Sequence, residues 1–185
     1  MNKRPEITKQ TRNNLNEAFW QIYCEKELRH ISIKDITDKA GYNRGTFYQY
    51  YTDVYDLLNQ FEDALIEYVT ANIKEELGFD YWDNTAYNVV KIYEAKGVYL
   101  CKLFGSDGDP NFVEKIKRVL QPLYFDKFDK KDIDNRMALM FEYTISGILA
   151  AVTAWSDQGK TIPVNEMVFI IRKMVKSGAA SQMTD

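Results

Sequence analysis

Apolar positions recur at helical spacing along almost the whole chain, and that pattern predicts an all-α protein. Leu15, Ala18, Phe19 and Ile22 share one face of a first helix over about residues 8–26. The segment Leu28-Arg29-His30-Ile31 breaks the period. Ser32, followed three residues on by Asp35, has the form of a capping box, in which the hydroxyl meets a free first-turn amide. It opens a short helix over 33–40 with Ile33, Ile36 and Ala40 turned inward, and Gly41 ends it where the backbone must take positive φ. Asn43 is a suitable cap for a third helix over 44–50. Thr52-Asp53 caps a fourth, whose stripe of Leu57, Leu58, Phe61, Leu65, Tyr68, Val69 and Ile73 points to an end at Leu77, before Gly78. Further helices are expected over 82–97, 99–104, 111–125, 133–157 and 163–176, with a turn-rich loop at 105–110 and a frayed tail from Ser177.

This division gives a helix-turn-helix module at 1–55 and a helical regulatory and dimerisation domain at 56–185. The 185 residues suffice for a small module joined to a larger core. Net charge is −3, yet up to Arg44 nine bases face six acids, so the acidic excess lies further along. A basic module on an acidic body suits a DNA reader with a separate regulatory part. No unbroken apolar run reaches the roughly 18–20 residues of a membrane span, and no secretory signal is legible at the N-terminus, so the expected location is cytoplasmic.

Chemistry for catalysis is scarce. His30 is the single histidine, and no phosphate loop or nucleophile elbow is present. Cys24 and Cys101 are too few and too distant for a metal site or a disulfide framework, and read as buried small hydrophobes before they read as a redox pair. No metal, no cofactor and no enzymatic activity are expected.

The most informative stretch is 33–51. Two short helices joined at a glycine fit the helix-turn-helix plan, whose second helix enters the major groove; spacing alone also admits an αα-corner. Here the run Ile31-Ser32-Ile33-Lys34-Asp35-Ile36, then Ala40-Gly41-Tyr42-Asn43-Arg44-Gly45-Thr46-Phe47-Tyr48-Gln49-Tyr50-Tyr51, with Thr11-Arg12 before it and Leu57-Leu58 after it, resembles the N-terminal domain of the tetracycline-repressor (TetR/AcrR) family. Leu103-Phe104 and Gly108-Asp109-Pro110-Asn111-Phe112 are similar to a C-terminal domain type of Gram-positive members. The resemblance implies a homodimer on a palindromic operator, usually a repressor that a small-molecule inducer releases. Three positions depart from the family pattern. Thr37 replaces an alanine and is expected to bond back to a carbonyl. Tyr50 replaces a histidine. Val54 replaces a phosphate-gripping lysine, whose contact is either lost or taken over by the free amides of that helix N-terminus.

Roles follow from side-chain chemistry. Arg44 can bond guanine or phosphate, Gln49 can read adenine, and Thr46 can meet a thymine methyl. Gly45 lets the backbone approach. Tyr48 and Tyr50 suit phosphates and sugars, while Ser32, Lys34 and Asn43 would position the module.

In the body, the segment 136–155 and the last helix carry apolar residues on more than one side, with Ser146, Gly147, Ala150 and Ala151 permitting close approach. They are expected to form a four-helix dimer interface. Tyr93, Tyr99, Phe104, Phe112, Tyr124 and Phe141 are candidates to line an apolar ligand pocket. A helical adaptor that works through a protein partner, with weak or no DNA binding, is the alternative function.

Overall fold

A computed structural model describes residues 3–74, 81–105, 108–126 and 134–178, with side chains at 3–5, 74 and 81–87 left aside. The described residues form eight α-helices and one 3₁₀ turn, with no strand among them. The expected helix stop at Gly78 and the tail beyond 178 lie outside the described residues.

The chain packs as two compact units, Met1–Ala64 and Leu65–Asp185. The first contains α1 (Lys3–Tyr23), a 3₁₀ turn at Leu28–His30, α2 (Ile33–Ala40), α3 (Arg44–Phe47) and the first half of α4 (Val54–Lys74). Its core is aromatic and aliphatic: Leu15, Phe19, Ile36, Phe47 and Leu57 are fully enclosed, and Tyr51 nearly so. Trp20 stacks on Phe61 with ring centroids 5.0 Å apart, and Phe47 lies 5.4 Å from Tyr51. Offset ring contacts of this kind add to the burial itself.

The second unit holds the rest of α4 with α5 (Tyr81–Phe104), α6 (Pro110–Phe125), α7 (Asn135–Asp157) and α8 (Val164–Ser177). Here the pattern needs correcting, because α5 is one continuous 24-residue helix where a break near Val98 was expected. Gly97 interrupts the apolar stripe without ending the helix. A Cβ there would lie 2.7 Å from the Tyr93 ring, so the glycine makes room for a neighbour on its own helix face. Tyr93 in turn packs edge-on against Trp155 at 4.9 Å, whose indole N–H donates to the Ile162 carbonyl at 2.8 Å.

Among the described residues, α7 is the one helix long and apolar enough to cross a membrane by length and composition. The expectation from unbroken runs missed it because Glu142, Ser146 and other polar residues divide the apolar stretch. Only 17 % of its most apolar window is buried. The uncovered face carries Leu139 and Tyr143, and α8 adds Phe169, Ile170 and Met174. Between the two helices runs a groove of about 120 Å³, walled by Thr144, Gly147, Ile148, Ala151, Ile171 and Val175.

Candidate nucleic-acid interface

The turn between α2 and α3 is built from local chemistry. The Ser32 hydroxyl accepts from the Asp35 amide at 3.2 Å, and the Asp35 carboxylate accepts from the Ser32 amide at 3.0 Å and its hydroxyl at 2.8 Å, which completes the capping box. These bonds from Ser32 hold the Asp35 carboxyl below the usual carboxylate range. Thr37 is buried, and its hydroxyl donates back to the Ile33 carbonyl at 2.9 Å, as its place in the pattern suggested. Gly41 has φ of +74°, a conformation open to glycine at little cost, and sends the chain across to α3.

Asn43 then caps α3. Its Oδ1 accepts from the Thr46 amide at 2.8 Å and from the Thr46 hydroxyl at 3.2 Å. A Cβ on residue 45 would sit 3.1 Å from that same oxygen. Gly45 therefore has a structural reason to be glycine besides any approach of the backbone to DNA.

The α-helical bonding of α3 covers only Arg44–Phe47, shorter than the expected 44–50. Gln49 and Tyr50 instead bond three residues back, to Thr46 and Phe47, and form a tightened turn. Tertiary contacts favour that turn. Tyr51 has to bury its ring against Phe47, and Gln60 of α4 donates to the Tyr50 carbonyl at 3.3 Å.

Ser32, Lys34, Asn43, Arg44, Gly45, Tyr48 and Gln49 are exposed, while Thr46 and Tyr50 are half-buried. Phe47, between them in sequence, is fully enclosed. The core thus anchors the segment through one side chain and leaves its polar neighbours to solvent. Tyr42 is half-buried and accepts a bond from Asn14 of α1 at 3.0 Å.

At the start of α4 two acidic side chains stand among the amides. Val54 is buried, the Asp53 carboxylate takes the Asp56 amide at 2.8 Å, and the Asp56 carboxylate takes the Thr52 amide at 2.8 Å. These carboxylates take two of the amides there and carry charge of the same sign as a phosphate. The Thr52 bond holds the Asp56 carboxyl below its usual range, with a further pull from Gln60.

A set of residues that the pattern did not single out lies behind the segment. Arg12 of α1 donates from Nη2 to Gln60 Oε1 at 2.9 Å and from Nε to the Tyr51 hydroxyl at 3.3 Å. Tyr51 donates onward to Asn16 Oδ1 at 2.6 Å. Gln60 Nε2 also donates to Asp56 Oδ1 at 3.1 Å. Burial pushes the Tyr51 hydroxyl above the ordinary phenol value against the pull of Arg12, which keeps it a neutral donor. The prior signals for this group were Arg12 and Tyr51 within the resemblance.

The six candidate ligand-pocket residues fall into separate clusters. Phe104 and Phe112 meet at 5.0 Å, Tyr124 and Phe141 at 5.3 Å, and Tyr93 belongs to the Trp155 cluster. Tyr99 lies under the Lys96 ammonium, 5.7 Å from its ring centroid. The groove between α7 and α8 is lined by none of the six. Among the described residues no group of three or more His, Cys, Asp or Glu could hold a metal ion.

A capped helix-turn-helix joined to an all-helical second unit defines a transcriptional regulator of the helix-turn-helix class. Residues 80–177, more than half of the chain, match a family model described as a transcriptional regulator C-terminal region, and the chain belongs to the TetR family. The HTH-type transcriptional regulator YxbF of Bacillus subtilis (strain 168) is 33 % identical over 64 residues, a match covering 35 % of this chain and 15 % of that protein. A TetR transcriptional regulator from Streptococcus agalactiae has the same fold, with a TM-score of 0.68 and 20 % identity over 93 % of this chain and 97 % of that one. A TetR-family regulator from Syntrophomonas wolfei gives a TM-score of 0.71 at 18 % identity, covering 93 % and 96 % of the two chains.

Proposed function

We propose that this protein reads a palindromic operator in double-stranded DNA as a cytoplasmic homodimer, and represses transcription until a small-molecule inducer releases it. The observation that carries this reading is the α2–α3 module. Arg44, Tyr48 and Gln49 are presented to solvent on a segment that Phe47 pins to the core. Arg44 supplies a fork for guanine O6 and N7 or for a phosphate, and Gln49 a paired donor and acceptor for adenine. The Thr46 hydroxyl is engaged by Asn43, which favours its methyl group as the part offered to a thymine. Tyr48, 58 % exposed, brings a hydroxyl to the backbone. Ser32 and Asn43 act through their caps, and Lys34 and Tyr50 add positive charge and a further hydroxyl.

Reading a palindrome needs two such segments about 34–36 Å apart, hence a dimer. The open apolar faces of α7 and α8 support a subunit interface there, and burial against a second copy also accounts for the apolarity of α7 without a membrane. The inducer would be bound in the second unit, against the apolar surface of one of the separate groups to which Tyr93, Tyr99, Phe104, Phe112, Tyr124 and Phe141 belong. The protein acts by binding, with no catalytic step and no cofactor.

Salt dependence tests the DNA reading. Neutralised phosphates release counterions, so affinity for a selected duplex should fall steeply between 50 and 200 mM salt, by about a thousandfold or more if six phosphates are contacted. A flat salt response with no duplex selected would instead favour the adaptor.

A further inference from the structure

The bonds behind the recognition segment converge on one side chain. The carboxamide of Gln60 accepts from Arg12 of α1, donates to Asp56 on its own helix, and donates to the main-chain carbonyl of Tyr50. It thus joins α1, the end of the recognition segment and the start of α4 through one planar group. A carboxamide is suited to this because it carries an acceptor and two donors together. Leucine would keep the bulk and lose all three bonds. Glutamate would keep the acceptor for Arg12, lose the donor to Tyr50, and add a second carboxylate beside Asp56.

The Tyr50 carbonyl closes the stretch that holds Tyr48 and Gln49. Within this stretch Gln49 and Tyr50 bond three residues back while Tyr48 and Tyr51 keep four-residue bonds to Arg44 and Phe47, so the mixed ladder constrains it less than a full helix would. The enclosed neighbours Phe47 and Tyr51 fix its two ends by packing, and Gln60 supplies a direct side-chain bond to the main chain between them.

We infer that Gln60 is a positioning residue for operator reading: through the Tyr50 carbonyl, and backed by Arg12, it sets where Tyr48 and Gln49 meet the DNA without touching DNA itself. This rests on the DNA-reading function proposed above. The exposed side chains can be right in kind and still misplaced, and Gln60 governs the placement.

The test compares full-length wild type, Gln60→Leu and Gln60→Glu on two probes, the duplex that wild type selects from a random library and a scrambled duplex of the same length. Both substitutions are expected to weaken the selected duplex about three- to tenfold, the worth of one lost hydrogen bond. Affinity for the scrambled duplex should fall less than that for the selected one and the salt slope should stay near wild type, because no charged group is removed from the DNA face. The thermal midpoint should drop by no more than the lost bonds account for. Arg12→Ala combined with Gln60→Leu should cost less than the two singles together, since both break one network. A ratio of selected to scrambled affinity that stays at the wild-type value would overturn the inference. So would an equal fall in both affinities that tracks a lowered midpoint, which is the mark of a merely structural role. If wild type itself shows no preference between the duplexes, the DNA-reading function fails first and this inference falls with it.

Discussion

Asn43 concentrates much of the local design in one oxygen, which holds both the amide and the hydroxyl of Thr46. Losing such a cap costs about 1 kcal/mol, so Asn43→Ala should lower the urea midpoint by a corresponding amount and weaken DNA binding as α3 frays. An unchanged midpoint would mean that the exposed cap adds nothing. Asp56 makes a separate prediction about pH. Its carboxyl is held below the ordinary value by the Thr52 amide, so its contribution is present above about pH 4 and is lost as pH falls through the lowered value. Asp56→Asn should therefore be less stable than wild type at pH 7, and the gap should close on acidification. A gap constant from pH 7 to pH 3 would contradict the assignment.

At the scale of elements, glycines separate close packing from mere absence of a side chain. A Cβ on Gly108 would lie 2.1 Å from the Leu103 carbonyl oxygen, a main-chain atom that cannot swing aside, whereas one on Gly147 meets nothing within 4 Å. Gly108→Ala is expected to destabilise by about 1–3 kcal/mol, and Gly147→Ala to leave the protomer equal or more stable by up to about 1 kcal/mol. Thermal melts of the two variants, run side by side, should diverge in sign or at least clearly in size. The same contrast explains how far the sequence could be read. Caps and turns span three or four residues, so Ser32 with Asp35, Gly41, and Asn43 before α3 were legible directly. The end of α3, the continuity of α5 and the Arg12–Gln60 bond were not. The first depends on Tyr51 packing and on Gln60, the second on a ring that uses the space at Gly97, and the third joins residues 48 positions apart. Val54 was legible as a departure from the family pattern. The cap at Thr52-Asp53 was legible too, but that the Asp56 carboxylate turns back to the Thr52 amide could be seen only in three dimensions.

For the whole molecule, the question is how one binding module becomes a selective regulator. A single four-residue α3 with its following turn offers few base contacts, so two copies on one duplex multiply the discrimination. The open faces of α7 and α8 are the proposed means. Leu139 is 72 % exposed, so Leu139→Arg should cost the protomer little. In sedimentation it should nevertheless shift the protein toward monomer and weaken operator binding more than either half-site contact. A variant that remains dimeric would move the subunit interface to another face.

On the proposed function, Arg44 and Tyr48 bring this protein to a specific DNA sequence. The most direct measurement is selection of genomic fragments by purified protein at near-physiological salt, repeated with Arg44→Ala and Tyr48→Ala. Wild type should enrich a palindromic site, and both variants, folded and dimeric, should lose it. Enrichment of the same site by the two variants, or of no site by wild type, would contradict it.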